Sequence, residues 1–180
     1  MYLEFSIPFL IPEFIKMDFS DLPGLIASFS MGPLYGLQVV VIKNLLHLPV
    51  SMTGGIGELS NAILSAVFVV TAGVVYRFCH SRRGALLGST AGAFAMAILS
   101  VPSNYFIVYP IYYRILPEET VLGFYQAILP FVQSIFQSLL LFNMPFTFAK
   151  GMLNTLLAFL IYKHISPFIK GKAVDSEHHD

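Results

Sequence analysis

Long stretches of this chain carry no charged side chain at all. Asp, Glu, Lys and Arg are missing from Leu22 to Ile42, Leu59 to Tyr76, Gly84 to Tyr113 and Thr120 to Ala149. Together these four residue types make up 11% of the 180 residues, against 56% hydrophobic ones. A soluble domain usually carries about 25% charged residues, so an ordinary soluble globule is excluded. A helix rises ~1.5 Å per residue, so about 20 apolar residues cross the ~30 Å hydrocarbon layer. Two of the runs well exceed that length and the other two lie close to it. Backbone polar groups in lipid need partners within their own segment, so the runs are expected to be helices.

Other absences narrow the function. The single cysteine, Cys79, rules out an internal disulfide framework. There is no G-x-x-x-x-G-K-[ST] phosphate loop, no H-E-x-x-H and no G-x-S-x-G. If the protein moves a solute uphill at the expense of ATP, the ATPase is another chain. No basic patch interleaved with aromatics points to nucleic acid, and a formal net charge of zero favours neither acidic nor basic partners. The first residues lack a basic n-region and carry Pro8 and Pro12, so they do not read as a secretory signal.

What is present reads as an all-α integral membrane protein, a single transmembrane helical domain over 1–170 with a polar cytoplasmic tail at 171–180. Met1 to Asp21 is expected to be an irregular loop. Gly32-Pro33 is a strong helix breaker, predicting a short helix near 21–31 and another near 34–48. A glycine-rich turn over 49–58 leads to helices at 59–78 and 85–108, then a polar break at Pro117-Glu118-Glu119. Residues 121–142, with Gln126, Gln133, Gln137 and Pro130, are expected to re-enter, lie in the interface or span. The last helix is expected over 145–165. His178 and His179 in the tail are not read as metal ligands. Arg77, Arg82 and Arg83 at one connection, and Lys163, Lys170 and Lys172 near the end, are placed in the cytoplasm by the positive-inside rule. The loops near 1–20 and 49–58, and the one carrying Glu118 and Glu119, then face outward.

Polar residues inside apolar runs carry a penalty of a few kcal/mol unless they are paired or snorkel. Lys43 and Lys150 are such residues. Either they snorkel or pair with Glu58 to knit helices, or they line a polar ligand site near the outer face. Asn44, Asn61 and Asn104 share that half, with Tyr105 and Tyr109 following Asn104. Each amide alone reads as an interhelical hydrogen bond; gathered with two lysines and Glu58, they suit a neutral, hydrogen-bonding small molecule with an aromatic face. Gly84, Gly88 and Gly92 recur every four residues as a helix-packing ridge, expected to meet a neighbour within the chain. Glu58, Lys43 and His47 form no constellation assignable to a reaction, so no enzyme activity is expected.

Several segments, in order, resemble the substrate-binding S components of energy-coupling factor (ECF) vitamin transporters, most of all the riboflavin-specific, RibU-type members. They are Ile7-Pro8-Phe9-Leu10-Ile11-Pro12, Met17-Asp18-Phe19-Ser20-Asp21-Leu22-Pro23, Met31-Gly32-Pro33-Leu34-Tyr35-Gly36 and Lys43-Asn44-Leu45-Leu46. Further matches are Gly57 with Leu59-Ser60-Asn61, Ser103-Asn104-Tyr105-Phe106, and Pro145-Phe146-Thr147-Phe148-Ala149-Lys150-Gly151. The resemblance implies a six-helix membrane bundle with cytoplasmic termini, of which about five spans are visible here and the first helix is truncated. It implies a vitamin bound near the outer face, and partnership with a transmembrane coupling protein and two ATPase subunits. It also implies a flavin pocket of Met17, Asp18, Phe19, Lys43, Asn44, Asn61, Asn104 and Lys150. Two positions depart from the family pattern. Thr147 stands where riboflavin binders typically have Asn, and Glu58 where an uncharged residue is usual. They keep open a second ligand reading, another small vitamin or precursor; a third reading is a non-transporting membrane scaffold.

Overall fold

The computed structural model of the chain describes residues 4–5, 17–51 and 54–174, with side chains over 18–51 and 54–161. Four residues of the expected N-terminal loop form a minimal antiparallel ladder instead. Strand β1 (Glu4–Phe5) pairs with β2 (Met17–Asp18), Glu4 opposite Asp18 and Phe5 opposite Met17. The first matched segment, residues 7–12, lies outside the described residues.

Helix α1 (Leu22–Ser30) starts with a proline in its first turn, where no intrahelical N–H is needed. It ends at Gly32, whose φ of 115° an L side chain rarely adopts, and Pro33 opens α2 (Pro33–His47). A 3-10 turn, Leu48–Val50, follows. Helix α3 (Ile56–Phe78) begins inside the segment expected to be a turn. The Ser81 hydroxyl then accepts from the Gly84 amide at 3.0 Å and caps α4 (Arg82–Tyr112). After the polar break comes α5 (Glu118–Gln126), with both acids in its first turn, where the helix dipole favours them.

The expected segment 121–142 is divided, not one helix. Its first residues belong to α5, and from Ile135 onward it is already the last helix, α6 (residues 135–174), capped by Ser134. The last helix therefore starts well before 145 and runs through Val174, past the expected start of the tail. Residues 175–180, with His178 and His179, lie outside the described residues.

Both α4 and α6 contain a π-helical turn, Asn104–Val108 and Leu139–Asn143. Proline explains them. A ring inside a helix clashes with the carbonyl four residues earlier; for Pro110 that is Phe106, and for Pro145 it is Leu141. Each lies at the centre of a π turn, whose wider ladder relieves the clash.

Helices α3, α4 and α6 are long and apolar enough to cross a membrane. Among the outward-facing apolar side chains, Leu46 is 75% exposed and Phe106 73%. Helices α3 and α4 approach each other closely. A Cβ at Gly88 would lie 2.6 Å from the Ala72 carbonyl oxygen, and one at Gly92 2.6 Å from that of Phe68. Gly84 instead packs on the Cys79 carbonyl of the preceding turn. One apolar core joins Leu25, Val40, Phe68, Ala93 and Met96 across α1 to α4. A second, around Tyr109, Tyr125, Leu139 and Phe142, joins α4, α5 and α6.

Candidate functional site

Polar side chains collect where β2 and the turn before α1 meet α2, α3 and α6. The site is set toward the start of α3, away from the Arg77 end, where that guanidinium packs against Gly32. Lys150 of α6 is buried and donates to Asp18 Oδ2 at 2.8 Å and to Asn61 Oδ1 at 2.7 Å. Its Nζ also lies 3.8 Å from Asp21 Oδ2. Lys43 of α2 is paired with Asp21 Oδ1 and donates to Ser20 Oγ at 2.9 Å. Ser65 of α3 donates to Asp21 Oδ1 as well. Asn61 Nδ2 reaches Asn44 Oδ1 at 3.3 Å, and Asn44 Nδ2 donates to the Val40 carbonyl.

The acids are fixed from the backbone side. Asp18 Oδ1 accepts from the Ser20 amide at 2.9 Å, and its carbonyl accepts from Asn154 Nδ2 at 3.2 Å. Asp21 is 0% exposed and Asp18 6%. Burial opposes ionisation of Asp18, but Lys150 and then Lys43 outweigh it and hold the carboxyl well below the usual carboxylate range. Among the described residues, two buried acceptors of this cluster, Asp21 Oδ2 (3.8 Å from Lys150 Nζ) and Asn154 Oδ1, have no hydrogen-bond donor. Such atoms are rare in a folded protein and fit a place where a ligand's donors are received.

Not every residue singled out in the sequence joins this cluster. Glu58 lies on another, where Oε1 is 2.7 Å from His47 Nδ1 and Oε2 accepts from Ser51 Oγ at 2.7 Å. Among the described residues, the carboxylates facing the two lysines are thus Asp18 and Asp21, and Glu58, one of the partners the sequence offered, is not among them. A carboxylate one turn into α3 is nearer the end of α2 than its middle. Asn104 is buried and accepts from Ser60 Oγ at 3.0 Å. Tyr105 is exposed and stacks edge-on against Phe136. Tyr109 is buried and paired with Tyr125, whose hydroxyl donates to Asn143 Oδ1 at 2.9 Å. Thr147 is buried and Phe19 half-buried. Met17 enters through its backbone, as part of β2.

Residues 1–162 match the family model of the ECF transporter substrate-specific component. The chain belongs to that family. Similar proteins include the riboflavin transporter RibU of Staphylococcus aureus (strain TCH60), 31% identical over 94% of this chain and 84% of its own length. The riboflavin transporter FmnP of Bacillus subtilis (strain 168) is 30% identical over 94% of this chain and 86% of its own. Among solved structures, the S component of a bacterial ECF transporter superposes with a TM-score of 0.72 at 30% identity, covering 93% of this chain and 86% of that one. The protein is a predominantly helical membrane S component.

Sequence reasoning passed over four polar residues of this S component's cluster, namely Ser20, Asp21, Ser65 and Asn154. Helical spacing was available as a signal for two of them. Ser65 follows Asn61 by four positions and Asn154 follows Lys150 by four, so each pair shares a helix face. Asp21 carried no such signal, because its position is decided by how the turn before α1 folds back onto α2 and α3.

Proposed function

We propose that this S component captures riboflavin at the outer face of the cell membrane for an ATP-driven importer. In this reading it is a multi-pass subunit with a cytoplasmic C-terminus. It works with a transmembrane coupling protein and two ATPase subunits, which supply the energy that its own residues do not. The observation that carries the reading is the buried lysine–aspartate–asparagine cluster, with two acceptors left open, in a chain whose relatives are named riboflavin transporters. Lys43, Lys150, Asn44, Asn61 and Asn104 offer donors and acceptors to the carbonyls of the isoalloxazine ring and to the ribityl hydroxyls. Phe19, on the turn between the two aspartates, supplies aromatic surface for a ring face. Binding requires some of the internal hydrogen bonds to be exchanged for bonds to the ligand, in a site whose polar partners are already gathered.

The test is a titration of riboflavin fluorescence with detergent-purified protein. Saturable quenching at or below about micromolar riboflavin is expected, an affinity of roughly −8 kcal/mol or better. It should be lost in folded Lys150→Ala or Asn104→Ala protein. Absence of quenching by folded wild-type protein would sink riboflavin as the ligand. Thr147, where family riboflavin binders typically carry Asn, favours including other small vitamins as competitors in the same assay.

A further inference from the structure

We propose that the connection between α3 and α4 binds an anionic phospholipid, its headgroup on Arg77, Arg82 and Arg83 and one acyl chain along α4. All three arginines are exposed. No Asp or Glu occurs from Leu59 to Pro117, and Glu58 lies about 28 Å from Arg77 along α3. Asp18 and Asp21 are engaged with lysines near the other end of that helix. Among the described residues, no ion pair neutralises these arginines. The connection that carries them is firmly held. The Ser81 hydroxyl accepts from the Gly84 amide, and the His80 ring lies edge-on to Tyr76 at 5.3 Å, which in turn packs on Phe29 of α1 at 4.9 Å. The Arg77 guanidinium lies over Gly32, where a Cβ would meet its Nη2 at 2.7 Å. Three uncompensated positive charges therefore gather at one end of two spanning helices, the end expected to face the cytoplasm.

What lies beneath the charges selects a lipid. Leu87, Phe94 and Ile98 are exposed and follow Arg83 at helical spacing on one narrow face of α4. That face is turned away from Gly88 and Gly92, which pack on α3. From Leu87 to Ile98 the helix rises about 16 Å, against about 15 Å for half of the hydrocarbon layer. A cationic surface over an apolar stripe one leaflet deep matches the two ends of a phospholipid. The arginine fork suits a phosphodiester, and a headgroup without a cation of its own leaves the arginines unopposed. Free phosphate has nothing to lay on the stripe, and a soluble acidic protein does not reach into the hydrocarbon. Each basic residue beside an anionic membrane surface is worth roughly fivefold in binding.

The experiment mixes the full chain in detergent with equimolar phosphatidylglycerol and phosphatidylcholine of identical acyl chains, and counts retained lipid by native mass spectrometry. Wild-type protein should retain phosphatidylglycerol at least about twentyfold over phosphatidylcholine. Arg82→Gln/Arg83→Gln, checked for folding by circular dichroism, should cut that preference at least about tenfold. Leu87→Asn should lower retention of both lipids together and leave their ratio unchanged, which reads the acyl chain separately from the headgroup. Millimolar inorganic phosphate should displace neither lipid. Equal retention of the two lipids by wild type would overturn the proposal and leave the arginines to an acidic protein surface. An unchanged ratio in the folded double variant would also overturn it. Release of phosphatidylglycerol by inorganic phosphate alone would do the same, since it would show a phosphate site with no part for the stripe.

Discussion

Replacing Lys150 by methionine keeps the length of the side chain and removes its charge. In the folded chain that ammonium holds Asp18 Oδ2 at 2.8 Å and Asn61 Oδ1 at 2.7 Å, and it lies 3.8 Å from Asp21 Oδ2. Lys150→Met therefore leaves two buried carboxylates sharing Lys43. Breaking one side of a buried ion pair costs about 3–5 kcal/mol, a large fraction of a stability of roughly 5–15 kcal/mol. The loss arises from the stranded acid more than from the bond itself. The double variant Asp18→Asn/Lys150→Met should accordingly recover about 2 kcal/mol relative to the sum of the single variants. Acid should also rescue the single variant in part. Without Lys150, the strongest interaction holding the Asp18 carboxyl ionised against its burial is gone, so lowering the pH from 7 to 5 should relieve part of the strain in the mutant alone. The assay is SDS titration of the ligand-free protein in mixed micelles, followed by circular dichroism at both pH values. A Lys150→Met protein within about 1 kcal/mol of wild type at pH 7, or strict additivity in the double variant, would refute this account of the cluster.

Two further outcomes follow from the same geometry. The folded-state pKa of Asp18 lies below its unfolded value, so its contribution to stability is complete above about pH 4 and is lost as pH falls through the folded value. Unfolding midpoints should show no Asp18-dependent change from pH 8 to 5. A decline across that range that vanished in Asp18→Asn protein would contradict the sign. Gly88→Val should destabilise the bundle by about 1–3 kcal/mol or more, because its Cβ meets the Ala72 carbonyl oxygen of α3 at 2.6 Å. The same substitution at Gly123, which has open space around it, should be near neutral or slightly stabilising, because valine favours a helix more than glycine does, and equal losses at the two sites would argue against the α3–α4 contact.

Much of the helical layout is legible in the chain because its signals are local. Runs without charge mark where helices can lie in lipid, Gly32-Pro33 divides α1 from α2, and Ser81 caps α4. The two π turns were legible in principle from Pro110 and Pro145, since the clash acts four residues back along the same helix. The division of 121–142 was not. Its apolar composition suits a continuous helix, and the break at 127–134 coincides with Pro130 while Val132 and Ile135 sink into the core around Tyr125. Hydropathy measures how apolar a segment is and carries no information about which side of it finds a packing partner.

Composition and motif order by themselves determined that this is a helical membrane protein of the S-component family, because lipid admits few ways to satisfy a backbone and the matched segments run through nearly the whole chain. They also singled out Lys43 and Lys150 as charges needing an explanation. Tertiary structure alone decided which acids answer them. Glu58 is one turn into a helix that also carries Asn61, yet it faces His47 and Ser51, whereas Asp18 and Asp21 arrive from a segment far away in the chain. Asp18 and Lys150 are separated by 132 positions. An ion pair depends on a few ångströms of separation, and no spacing along the chain encodes a distance that arises only when the turn before α1 folds back over three helices.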